Sequence, residues 1–384
     1  MTAAGPLSGV TVVDLSRILA GPYCTMLMAE LGARVIKVEP PERGDDARHY
    51  GPFVKGKSAY FQSVNRGKES IALDLKNDGD RAIFEDLLGI ADVVVENFRP
   101  GTMEKLGYGW EELHRRYPKL IYASASGFGH TGPESKRAAY DMVVQGMGGI
   151  MSVTGHEGGP PTRIGTSIGD IGAGLYTTIG VVSALFDRAQ SGEGRKVDIA
   201  MFDCQLALLE NAIMRFFVTG KPPGPLGARH PSITPFEVFT TGDGYIIIAA
   251  GNDALYRKLC DALGRPELAN DLRYITNDLR NQNVDALKAQ LEETLKTAGT
   301  AHWSSVLDAA GVPAGPINNV QQAVEFPQAA ARNMLVTIDD PVMGSMPFVG
   351  NPVKIWGFED PTTRDPAPAL DADRDAILKA LGRA

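Results

Sequence analysis

The chain has 384 residues, 43% of them hydrophobic and 22% charged, and 38 Lys and Arg against 46 Asp and Glu give a formal net charge of −8. At about 150 residues per domain this length predicts two or three domains with real cores rather than a disordered chain. The acidic balance argues against a general nucleic-acid binder and against attachment to anionic membranes, because both need a basic face; three cysteines supply neither a disulfide framework nor paired metal ligands, which fits a reducing compartment.

Met1 to Pro6 has no basic n-region and no apolar h-region, so no secretory signal is read. A cytoplasmic protein is expected, and a mitochondrial matrix protein with its presequence removed would read the same. Val10 to Asp14 reads as a strand, Pro22 to Leu31 as a helix stopped by Gly32, and Arg34 to Glu39 as a second strand. Further strands are predicted at Ile71–Leu73, Asp92–Glu96 and Leu120–Ser124, with helices at Asp78–Gly89 and Thr102–Arg116 between them. This alternation predicts an α/β fold with a parallel sheet under helices. No G-x-G-x-x-G follows the first strand; Leu19-Ala-Gly-Pro22 stands there instead, which speaks against a nicotinamide enzyme.

Ile171 to Gln190 is the clearest helix, with Ile171, Leu175, Ile179, Val182 and Phe186 at near-helical spacing and Ser191-Gly192 as its stop. Its charge-free run from Ile171 to Phe186 is shorter than the ~20 residues that span a bilayer, so no membrane span is expected. Another helix is read from about Asp203 to Val218. Then the texture changes. Lys221-Pro-Pro-Gly-Pro-Leu-Gly227 is a connector, and Phe236–Phe239 and Tyr245–Ala250 form a hairpin around Gly242-Asp-Gly244. Helical patterns at Asp253–Leu263, Val284–Thr297 and Thr300–Ala310 complete a smaller α+β domain. The tail from Pro327 is Pro-rich, with short strands near Val336–Ile338 and Val353–Trp356 and a last helix near Ala372–Leu381.

Candidate chemistry is sparse. His49, His114, His130, His156, His230 and His302 pair with no Cys, Asp or Glu at zinc spacing, so no metal site is expected. Cys24, Cys204 and Cys260 sit in helical patterns and read as small apolar packing groups. There is no G-x-S-x-G and no Walker A loop. The unusual segment is Gly165-Thr-Ser-Ile-Gly-Asp170-Ile-Gly-Ala-Gly174, which delivers one carboxylate to the start of an apolar helix. Two readings of Asp170 stay open. It is an N-cap, or it is a functional carboxylate kept ionised by the helix dipole, beside backbone N–H groups that can hold an oxyanion. Val95-Glu-Asn-Phe-Arg-Pro-Gly101 follows a strand, where parallel sheets place ligands, and Asn97 there is either a turn residue or a ligand contact. Lys68, Lys76, Arg99, Lys105 and Arg137 are either solvated charges or partners for the phosphates of a nucleotide-like group.

Taken together these segments resemble the family III CoA-transferases, the group that includes formyl-CoA, carnitinyl-CoA and succinyl-CoA:dicarboxylate transferases. The resemblance rests on Leu19-Ala-Gly-Pro22, Gly32-Ala-Arg-Val-Ile-Lys-Val-Glu39, Val95 to Gly101, Gly127-Phe-Gly-His-Thr-Gly-Pro133, Gly165 to Gly174, Gly251-Asn252 and Gly311-Val-Pro-Ala-Gly-Pro-Ile-Asn-Asn319. It covers nearly the whole chain, and with Arg43-Gly-Asp-Asp-Ala-Arg48 it is nearest to the succinyl-CoA:glutarate branch. It implies that Asp170 is the catalytic nucleophile. It implies a large Rossmann-like domain from residues 1–200 and 330–384, a connecting helix and linker at 201–227, a small α+β domain with a return linker at 228–329, and an interlocked homodimer.

The same resemblance implies CoA contacts at Leu19, Leu73, Lys76, Asn97, Phe98, Arg99, Lys105, Arg137 and Tyr140, and a lid loop at Gly251 and Asn252. CoA and acyl-CoA enter as substrates, with a carboxylic acid as acceptor and no tightly bound cofactor. Lys105 stands where members often carry Arg, which keeps charge but loses the fork. Pro40 and Ala138 replace basic residues of the formyl-CoA enzymes, which argues against formyl-CoA and oxalate as substrates. A dicarboxylate acceptor needs a cation for its distal carboxylate; Arg17, Arg43, Arg48, Arg163 and Arg229 are available and unranked. The rival readings are an α-methylacyl-CoA racemase, whose proton-carrying His would fall where Tyr140 stands, and a CoA-binding scaffold without activity.

Overall fold

The computed structural model describes residues 5–383. These form two compact units, one from residues 5–151, 163–222 and 327–383, the other from 152–162 and 223–326. The first is built on a six-stranded sheet of β1 (Thr11–Asp14), β2 (Arg34–Glu39), β3 (Glu69–Ala72), β4 (Val93–Glu96), β5 (Ile121–Ser126) and β6 (Lys196–Ala200). All neighbours are parallel, in the order β3-β2-β1-β4-β5-β6. Strands buried on both faces must be apolar on both, which is why the runs are rich in Val and Ile. Val13, Ile36, Ile71 and Val94 meet Phe84 and Leu87 of the helix Asp78–Ile90 and Ile377 of the helix Arg374–Ala380. Val12, Val35, Val93 and Val95 face the other way, onto Cys24 and Met28 of the helix Ala20–Glu30 and Val181 of the helix Ile168–Ser191. The strand order reverses between β1 and β4, and in open α/β sheets the crevice at that reversal is where ligands bind.

Several boundaries differ from the expectation, each for a local reason. The helix expected over Thr102–Arg116 is broken by Gly107, which ends Thr102–Leu106 at φ 84° before a new helix starts at Trp110. The Asp203–Val218 helix is two, Met201–Leu208 and Glu210–Thr219, parted at Leu209. Val353–Trp356 is not a strand; Leu335–Asp340 instead pairs antiparallel with Gly344–Val349 and parallel with Thr363–Arg364.

The long helix starts earlier than expected, at Ile168, and its 24 residues are long and apolar enough to cross a membrane by length and composition. Its small-residue face, including Gly172, Ala173, Thr177, Val181 and Ala184, is buried within the chain. At Gly174 an added Cβ would sit 2.8 Å from the Ala20 carbonyl oxygen, so this close crossing with the helix Ala20–Glu30 needs glycine. The larger side chains Leu175, Ile179, Val182 and Phe186 face outward, with Phe186 70% exposed.

The second unit has a three-stranded antiparallel sheet, with the expected hairpin of Phe236–Thr240 and Tyr245–Ala249 beside Ala314–Pro316. Ile246 and Ile248 point inward to Tyr256, Leu259, Leu287, Leu291 and Trp303 from three helices, while Tyr245 and Ile247 point out.

Candidate active site

The crevice between β1 and β4 has a rigid frame. Asn97, just past β4, accepts a hydrogen bond from the Arg17 backbone N–H at 2.8 Å and donates to the Arg17 carbonyl at 2.7 Å. Its amide therefore ties together the two turns that form the crevice. Beneath them lies a buried charged network. Asp14 accepts from Thr25 at 2.7 Å, from Lys68 Nζ at 3.0 Å, and from both the backbone N–H and the hydroxyl of Ser16. Lys37 pairs with Asp45 at 2.9 Å and donates to the Ser16 carbonyl at 2.7 Å. Burial alone would push the Asp14 carboxyl up, but Lys68 and Lys37 offset it and hold the group well below the usual carboxylate range. Asp45 also accepts from the Ile18 N–H at 3.0 Å, holding Ile18 at φ 67°, a conformation that costs about 1–3 kcal/mol for a residue with a side chain.

A cleft of about 230 Å³ opens over this frame, lined by Arg17, Asn97, Phe98, Arg99, Tyr140 and Asp170 among others. Asp170 lies in the first turn of Ile168–Ser191, not at its cap. Ser167 occupies the N-cap position, and the Gly169 N–H donates to Asp141 Oδ1 at 2.8 Å. Capping thus comes from an acid 28 positions back along the chain. The Asp170 carboxyl makes no hydrogen bond or ion pair among the described residues, and burial with the nearby charge of Asp141 pushes it up to about 7. The helix dipole is expected to keep this carboxylate ionised; desolvation and the like charge of Asp141 act the other way, toward the protonated form. What results is a carboxylate near half-ionisation at neutral pH, more basic and more nucleophilic than a solvated one.

A sequence profile of CoA-transferase family III matches residues 7–374. The chain belongs to CoA-transferase family III. An acetyl-CoA:oxalate CoA-transferase from Acetobacter aceti is 50% identical over 98% of this chain and 95% of its own length. A succinate–glutarate CoA-transferase from Agrobacterium fabrum is 41% identical, covering 98% and 96%, and the human succinyl-CoA:glutarate CoA-transferase is 38% identical, covering 98% and 86%. Among solved structures, a CAIB/BAIF family protein from Brucella suis superposes with a TM-score of 0.86 at 42% identity over 99% of this chain and 100% of its own. The Mycobacterium tuberculosis protein Rv3272 does so with 0.86 at 32% identity over 98% and 100%. The protein is a CoA-transferase, with CoA thioesters as substrates. Identity does not choose its acceptor: the oxalate enzyme stands above the glutarate enzymes, so it lends no support to excluding oxalate from Pro40 and Ala138.

In this transferase Leu19, Asn97, Phe98, Arg99, Arg137 and Tyr140 line the cleft with Asp170. Leu73, Lys76 and Lys105 do not: Leu73 is buried in the core under the sheet, and the two lysines are exposed outside the cleft. Lys68 is no solvated charge, being buried against Asp14. Gly251 and Asn252 are exposed in the second unit, where Asn252 caps the helix Asp253–Ala262 by accepting from the Leu255 N–H at 2.9 Å. The three cysteines are buried and free, and burial pushes the thiols of Cys204 and Cys260 up to about 11. No three His, Cys, Asp or Glu side chains gather as a metal site among the described residues.

Two residues escaped the sequence reading. Asp141 sets the environment of Asp170, and its only local signal is a position beside Tyr140 at the start of a short helix. Tyr60 lines a second cavity of about 700 Å³ that shares Leu19 with the cleft; burial, with the charge of Asp170, pushes its phenol up to about 12. Nothing local marks Tyr60.

Proposed function

We propose that the enzyme moves CoA from an acyl-CoA, succinyl-CoA in the first instance, to a C4–C6 dicarboxylate such as glutarate, with Asp170 as covalent nucleophile. The observation that carries this reading is the unpartnered Asp170 carboxyl in the cleft, raised to about 7. An Asp170 oxygen attacks the thioester carbonyl, the C–S bond breaks, and CoA thiolate leaves a mixed aspartyl anhydride. The thiolate then attacks the aspartyl carbonyl, expelling the donor acid as its carboxylate and leaving an aspartyl-CoA thioester. An acceptor carboxylate repeats the two steps in reverse, and Asp170 is regenerated. The anhydride preserves the free energy of the thioester provided water stays out. Arg17, Arg99 and Arg137 supply positive charge in the cleft for CoA phosphates, and Phe98 and Tyr140 supply aromatic surface. Acyl-CoA trapping followed by hydroxylamine should modify Asp170, as read by peptide mass spectrometry. Deuterium entering the α-carbon of a branched acyl-CoA with no adduct would instead establish a racemase, and neither signal a scaffold.

The assembly in this reading is an interlocked homodimer. The outward stripe of Leu175, Ile179, Val182 and Phe186 supports a second copy there, since soluble monomers rarely expose contiguous apolar patches of this kind. Folded monomer appearing on dilution in analytical ultracentrifugation would refute it.

A further inference from the structure

Among the arginines available for a distal carboxylate, the structure removes most. Arg48 is held by Glu39 through two hydrogen bonds of 2.7 and 2.6 Å and packs over the Phe61 ring at 3.8 Å. Arg229 lines a cavity whose wall carries the acids Glu237, Asp285 and Glu292. Arg43 is exposed and lines neither cavity beside Asp170. Arg17 lies in the cleft, but over the Phe98 ring at 5.0 Å and 3.9 Å from Asp46.

Arg163 is different. It lines the larger cavity, has no acidic partner among the described residues, and donates only to the Ile164 and Gly165 carbonyls at 3.1 and 3.4 Å. The other cation on that wall, Arg66, is already paired with Glu30 at 2.6 Å. From Arg163 the chain runs through Gly165, Thr166 and Ser167, which line the same cavity, to Asp170, which lines the cleft; Leu19 borders both spaces. The rest of the cavity wall is largely apolar, with Leu27, Ile171, Met334 and Phe348. An ionised carboxylate enters such a space only with a partner, and a guanidinium fork is the natural one.

We infer that Arg163 holds the far carboxylate of the acceptor, and that the acceptor is therefore a dicarboxylate with an aliphatic spacer lying against this apolar wall. Oxalate has no methylene to place there. The inference rests on the reading that Asp170 carries CoA to the acceptor. It is tested with Arg163→Met and Arg163→Lys in the full-length enzyme, at saturating donor, against glutarate, oxalate and butyrate. Comparing acceptors at one donor cancels any effect on the first half-reaction. The expected result is a glutarate KM raised roughly 10- to 100-fold in Arg163→Met and less in Arg163→Lys, with the butyrate KM unchanged. Equal losses for glutarate and butyrate, no loss for glutarate, or wild-type kcat/KM for oxalate or butyrate matching that for glutarate would each overturn it. Hydroxylamine trapping separates the two readings: an unmodified Asp170 with Arg163-dependent glutarate selectivity sinks the covalent route and leaves the acceptor site standing.

Discussion

Two acids at the carboxyl end of the same sheet, Asp14 fully buried and Asp170 half-buried in the cleft, have opposite fates. Asp14 accepts hydrogen bonds from Ser16, Thr25 and Lys68, and its charge is met by Lys68 and Lys37. Asp170 has no such partner, and its neighbour Asp141 adds to the cost of its charge. Burial acts on both in the same direction; what differs is compensation. A fully compensated carboxylate holds a fold together, while an uncompensated one stores free energy that chemistry can release.

The sharpest break in this comparison is Asp170→Ala. Transfer should fall by about four orders of magnitude or more in a coupled acyl-CoA assay, since a covalent unit is lost as a whole. Circular dichroism should stay native, and CoA affinity should change little because the cleft cations remain. Asp14→Ala should do the reverse: it strands Lys68, and urea unfolding should show a loss of about 3–5 kcal/mol.

The third test uses linkage. Asp170 titrates near 7 in the folded chain against 3.8 ordinarily, so the fold binds the extra proton and loses stability as pH rises from about 4 through about 7. Asp170→Asn removes that loss. The variant should be more stable than wild type by up to about 4 kcal/mol at pH 8 and should nearly match it near pH 4. A gap that widens toward low pH would mean Asp170 is compensated after all. The smallest effect is expected from Asp141→Asn, which can keep the bond to Gly169 through its amide oxygen while losing the charge. In the proposed mechanism only ionised Asp170 attacks, so the wild-type rate should climb with pH through about 7, and in this variant that limb should move down by about one pH unit or less.

Much of this was legible in the chain. The β-branched runs place five of the six sheet strands to within a residue or two, while the edge strand Lys196–Ala200 escapes them; the Gly165–Gly174 spacing brings Asp170 to notice but leaves cap and functional carboxylate both open, and the family resemblance chooses between them. Compensation is not local. That Asp141 caps the helix from 28 positions back, that Asp14 meets Lys68 across 54, and that Asn97 reaches Arg17 across 80 are products of the sheet's crossovers.

The larger cavity draws its wall from both ends of the chain, the cleft from one. The turns clamped by Asn97, together with Asp170, come from the first half, whereas Met334 and Pro347 to Pro352 bring the C-terminal tail to the larger cavity. Substitution in the tail can therefore reshape the larger cavity, the proposed acceptor site, while Asp170 and the turns around it stay as they are.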